Sequence, residues 1–139
     1  MQQHDTRFRA GQLSFALVFL ICLVAGCDDP ACRPLSGRWS TREGQSFCFL
    51  ENGHALWLVR FGSQVDTVHM EYRYDCQKSP AQLDLKGFSA GPLVGQALYG
   101  ILEWNSDTSF RFYAEVGAGP EMRPVTFESD QTQKFFLEK

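Results

Sequence analysis

The chain has 139 residues, a formal net charge of −3, 44% hydrophobic residues and 14% aromatic ones. That length provides one folded domain and excludes two independent cores. The lack of any basic cluster excludes a nucleic-acid surface, which selects grouped Lys and Arg, and the wealth of aromatic rings excludes a disordered chain.

The first predicted element is a targeting segment. Arg7 and Arg9 precede an apolar run of 13 residues, 13–25. A membrane-spanning helix needs about 20 such residues, so this run has the length of a secretory signal core instead. Val24-Ala25-Gly26-Cys27 resembles the lipobox of bacterial lipoproteins. The resemblance implies removal of residues 1–26 and a diacylglycerol thioether on the Cys27 sulfur. Two or more acyl chains anchor a protein stably, at about 0.8 kcal/mol per buried CH₂. Asp28 and Asp29 resemble the signal that retains a lipoprotein in the inner membrane. The expectation is a lipid-anchored protein on the periplasmic face of a bacterial membrane, with 27–34 as tether and 35–139 as domain.

Beyond Cys27, the cysteines are Cys32, Cys48 and Cys76. In an oxidising compartment three thiols allow one disulfide and one free thiol. Cys32 precedes the domain and Cys76 ends a strand-like run, so Cys32–Cys76 is the expected pair, with Cys48–Cys76 as the alternative. Cys48 lies in mid-strand, where a buried free thiol is ordinary. No C-x₂-C pair is present and His54 and His69 lack companion-ligand spacing, so no zinc site is expected.

From residue 37 onward the chain alternates in short runs between turn residues, the pattern of an antiparallel sandwich or barrel. Runs at 37–41 and 45–51 are followed by Asn52-Gly53, a pair suited to the positive φ angles of a hairpin, and by a returning run at 54–61. After Gly62-Ser63, residues 65–76 place Val68, Met70, Tyr72 and Tyr74 on one face and His69, Glu71 and Arg73 on the other. Lys78-Ser79-Pro80 breaks that run, and Leu83 and Leu85 mark a short strand. A Gly/Pro-rich loop at 88–95 leads to strands at 96–104 and 108–116, the latter with Phe110, Phe112, Ala114 and Val116 on one face. A second loop at 117–123, a strand at Val125 and Phe127, a turn at 130–132 and a strand at 135–137 complete the pattern. These runs predict an all-β, single antiparallel barrel of eight to nine strands, since closure removes exposed edges.

Laid out in this way, the chain resembles a lipocalin-like small β-barrel family of bacterial proteins whose function is uncharacterised. The resemblance lies in Leu35-Ser36-Gly37-Arg38-Trp39, in Pro80 with Leu83-Asp84-Leu85, and in Tyr99-Gly100-Ile101-Leu102-Glu103 followed by Asp107-Thr108. It continues in Arg123-Pro124-Val125-Thr126-Phe127 and the closing Phe136-Leu137-Glu138-Lys139. These motifs are structural and imply a barrel; a fold does not imply a function.

No catalytic wiring emerges. His69 beside Glu71 reads as a surface pair, Glu103 and Glu115 fall on neighbouring strands without a sign of convergence, and no nucleophile elbow or phosphate loop occurs. The expectation is a non-enzymatic chain needing no cofactor or metal. Two binding roles are left. In one, the loop residues Glu121, Met122 and Arg123, together with Leu93 and Val94, grip a protein partner such as a secreted hydrolase, as an inhibitor or immunity protein would. In the other, Trp57, Tyr72, Tyr74, Tyr99 and Tyr113 line a pocket for a small apolar ligand or lipid.

Overall fold

A computed structural model describes residues 32–128 and 130–139, and for Phe61 the backbone alone. Cys27, Asp28 and Asp29 lie outside the described residues. The folded unit runs from Cys32 to Lys139.

Eight strands form one closed antiparallel barrel in chain order. They are β1 (Gly37–Ser40), β2 (Gln45–Phe49), β3 (His54–Phe61), β4 (Gln64–Asp75), β5 (Ala81–Lys86), β6 (Ala97–Ser106), β7 (Ser109–Gly117) and β8 (Gln133–Leu137). Closure is made by β8, which pairs with β7 from Ser109↔Phe136 to Phe112↔Gln133 and with β1 at Trp39↔Leu137 and Ser40↔Phe136. The two-residue period puts Phe47, Phe49, Val68, Met70, Leu83, Leu85, Leu102, Phe110, Phe112 and Phe135 inside, all buried. A ring stack fills the centre. Phe135 lies parallel to Phe47 at 4.9 Å and to Phe110 at 5.2 Å, with Trp39 against Phe110 at 5.0 Å.

Gly100 shows how tightly the wall meets that filling. A Cβ there would stand 2.3 Å from the Phe112 ring and 2.9 Å from the Leu83 carbonyl oxygen. Gly100→Ala should therefore destabilise the barrel by about 1–3 kcal/mol, as overpacking does, seen as a lower urea midpoint at unchanged slope.

The end where the chain joins the barrel is sealed. Cys32 is disulfide-bonded to Cys76, just past β4. Arg33 donates to the Ser106 carbonyl at 2.9 Å, pairs with Asp107 at 2.8 Å and lies over the Trp104 ring at 5.0 Å. Leu35 is buried as a plug, and its carbonyl accepts the Trp39 indole N–H at 2.8 Å. The bridge closes a sequence separation of 44 residues. Removing it by Cys32→Ser should cost about 2–4 kcal/mol, chiefly through the freed unfolded chain; thermal melting with and without reductant reads this, and the variant should melt alike in both.

Two expectations are corrected. Cys48 is free, but it lies on the outer face, half-buried between Arg38 of β1 and Leu56 of β3, rather than in the core. The strand expected at Val125 and Phe127 does not form, which makes the barrel eight-stranded. Residues 118–128 instead cross the outside of β5–β7 as a strap containing a single 3₁₀ turn, Pro120–Met122. Three contacts hold it. Arg123 reaches Asp84 of β5, the Arg111 guanidinium lies 4.0 Å from the Phe127 ring centre, and Met122 packs onto Gly117, where a Cβ would come within 2.4 Å of it. Beneath the strap the outward-facing Ile101 and Tyr113 are buried, so the strap supplies a cover that a ninth strand would not.

Candidate functional site

The two ends of the barrel differ. At the end opposite Cys32, the tops of β2, β3, β5, β6, β7 and β8 surround an open cup of about 310 Å³. Its floor is Phe47, Phe112 and Leu85, and its wall Trp57, Phe88, Leu98 and Ala114. Three carboxamides, Gln45, Gln131 and Gln133, complete the lining, which contains no charged side chain. The cup goes no deeper because the Phe47–Phe135–Phe110 stack lies below it.

On its β2–β8 side the cup adjoins a groove carrying Arg42, Glu43, Asp130 and Lys134, whereas on its β6–β7 side and at the β5–β6 loop the exposed side chains include two valines. Val116 pairs with Leu98 and so faces the same side, yet it is 44% exposed. Leu93 packs against the core from the β5–β6 loop, while its neighbour Val94 is 55% exposed. The Trp57 indole N–H is buried without a hydrogen-bond partner among the described residues.

The residues expected to bind a partner separate into two places. Leu93 and Val94 sit at the cup end. Glu121 and Met122 lie exposed on the strap, whereas Arg123 does not project into solvent. Its guanidinium makes a two-pronged pair with Asp84, donating to Oδ2 at 3.1 Å and also to Oδ1, and it donates to the Gly100 carbonyl at 2.8 Å. The side chains of Arg123 and Asp84 are 11% and 18% exposed. This is a structural clasp. The sequence carries no signal for it, since in an alternating strand Asp84 stands on the face opposite the buried Leu83 and Leu85, where a carboxylate is ordinary.

Of the five expected pocket aromatics, Trp57 alone lines the cup. Tyr72 donates to the Leu50 carbonyl at 2.6 Å and packs edge-on to Phe49, at the sealed half. Tyr74 accepts from the Trp104 indole at 3.1 Å. Tyr99 is on the outer face, with the Arg123 guanidinium 5.7 Å from its ring centre. Tyr113 is also outward, buried under the strap, and donates to Glu115 at 2.6 Å. That hydrogen bond to a carboxylate, with burial and the nearby charges of Glu115, Glu128 and Asp130, pushes its phenol up to about 12. The cup glutamines were missed in the sequence because Gln131 lies within a predicted turn and Gln133 directly after it, where polar residues need no explanation.

The two carboxylates raised from the sequence do not converge. Glu103 pairs with Arg111 while Glu115 accepts from Tyr113. No cluster of three or more His, Cys, Asp or Glu side chains occurs among the described residues. The arrangement can bury an apolar group and offer it carboxamide hydrogen bonds.

Compared with family models, with curated proteins and with solved structures, the chain matches none. Its class is therefore defined by the structure itself, a closed eight-stranded antiparallel barrel sealed at one end and cupped at the other.

Proposed function

We propose that the chain is a non-enzymatic, lipid-anchored binding protein of the lipocalin-like kind, acting on the periplasmic side of a bacterial inner membrane, and that a protein partner docks on its open end. The reading rests on one observation, the uncharged apolar cup with exposed Val94 and Val116 beside it. Uncovered apolar surface around a concavity marks a contact site on a small domain. A free small molecule would fill the cup but leave Val94 and Val116 in water; a protein surface covers both and lowers an apolar side chain into the hole, in the manner of an interface hot spot. The likeness at Leu35–Trp39 and Arg123–Phe127 supports the lipocalin-like kind, and the lipobox at Val24–Cys27 supports the anchor. The disulfide holds Cys32 to Cys76 at the sealed end of the barrel, away from the cup, which supports an anchor on that side. A secreted or periplasmic hydrolase held by an inhibitor or immunity protein is the partner class this suits.

The test is site-specific photo-crosslinking in the native cell envelope, with the reactive residue placed at Val94 or, as the comparison, at Glu121. A discrete protein adduct from Val94 and none from Glu121 is expected. An adduct from Glu121 alone would move the contact to the strap and overturn the reading. One observation favours a small apolar ligand as the second reading, namely the unpartnered Trp57 indole N–H in the cup wall. A shift in tryptophan emission on titration with a fatty acid would support it.

A further inference from the structure

The wall beside the cup is incomplete. β4 has 12 residues and β5 only 6, and their last rung is Glu71↔Lys86. Past it, Ser89 makes one more link to β4, its N–H donating to the His69 carbonyl at 2.9 Å and its Oγ accepting the His69 N–H at 2.8 Å. In an antiparallel ladder the backbone groups of alternate residues point the same way. The N–H and C=O of Thr67 and Val65 therefore point away from β3 as those of His69 do, and among the described residues none meets them. Gln64, Val65, Asp66 and Thr67 are all exposed.

This overhang is an open sheet edge with no proline to blunt it, and such an edge is a template for another strand. A second copy fits badly. The register that uses Val65 and Thr67 of both copies sets Asp66 opposite Asp66, and like charges directly opposite are destabilising. Asp66 makes no ion pair among the described residues. It pairs with Val59, two residues from Trp57, and so shares the face that carries the cup wall.

The geometry points to strand addition: the partner presents an extended segment that pairs with Gln64–Val68, places Lys or Arg opposite Asp66, and drops an apolar side chain over the cup. This rests on the open-end reading and gives it a binding mode. Main-chain hydrogen bonds supply affinity in such a mode, while alternate side chains supply selectivity.

Panning a random-peptide display library against the full chain tests it. The enriched peptides should alternate apolar residues with a Lys or Arg. Thr67→Pro should weaken them at least tenfold, because proline blocks the edge while removing no N–H that the β3–β4 ladder uses. Asp66→Lys, a surface change that preserves the edge, should reverse the preference to acidic peptides. Leu98→Glu, in the cup, separates the two claims. Peptides that respond to Leu98→Glu but ignore Thr67→Pro and Asp66→Lys overturn strand addition and leave the open-end reading standing. Peptides indifferent to all three changes, or no enrichment at all, overturn both.

Discussion

Arg123→Ala should lower the stability of the folded chain by about 3 kcal/mol, through Asp84 rather than through the arginine itself. Both side chains of the clasp are largely withdrawn from water, so removing the cation leaves a carboxylate in a place where its charge is poorly solvated. The Gly100 carbonyl loses its donor as well. For a domain of this size the melting temperature should fall by roughly 12 °C. The double replacement Asp84→Leu with Arg123→Met should lose less than Arg123→Ala alone, since an apolar pair of similar volume often replaces a buried ion pair without loss. The strap should also come loose in Arg123→Ala, with new proteolytic cleavage between Gly117 and Glu128. If Arg123→Ala melts like the parent chain, the clasp does not hold the strap, and Arg123 returns as a residue free to meet a partner.

The second large effect is expected at the centre of the barrel. Phe135 is fully buried between the rings of Phe47 and Phe110, and Phe135→Ala should cost about 4 kcal/mol, combining lost transfer energy with an unfilled cavity. That is a large share of the 5–15 kcal/mol typical of a domain. Phe135→Leu, close in volume, should cost only about 1 kcal/mol. Urea unfolding at constant slope measures both. A further consequence follows from position, since Phe47 is also the floor of the cup. Truncating Phe135 deepens the cup into the barrel, so Phe135→Ala should gain binding of a small apolar probe such as benzene, as engineered apolar cavities do. Failure to gain it would mean that the surrounding side chains collapse into the space Phe135 leaves.

Much of this fold was legible in the residues. The alternation in β4 and β7 assigned the inward faces correctly, with Val68 and Met70 on one strand and Phe110 and Phe112 on the other. Cys32 and Cys76 were expected together, and they pair. Alternation gives the face of a strand but not the height of a residue along the barrel axis. Tyr72 and Tyr74 are inward-facing, as the pattern implied, yet they lie towards the sealed half, away from the cup. Val125 and Phe127 alternate as a strand would, but the competing contact is a long-range one. Arg123 is committed to Asp84, 39 residues away, and Arg111 to the Phe127 ring, and neither pairing leaves a local trace. The candidate site was legible only in part, through Trp57, Leu93 and Val94. The glutamines beside it and the open edge of β4 depend on where neighbouring strands stop, which follows from pairing rather than from composition.

We propose that acyl chains on Cys27 hold this barrel to a membrane. Intact-mass spectrometry of the chain extracted in detergent from its native membranes tests it most directly, with one spectrum before and one after reduction. The expected species is a polypeptide beginning at Cys27, heavier by the diacylglyceryl and acyl groups, that gains two hydrogens when the Cys32–Cys76 bridge is reduced. A chain that still carries residues 1–26, or one starting at Cys27 without acyl mass, would contradict it.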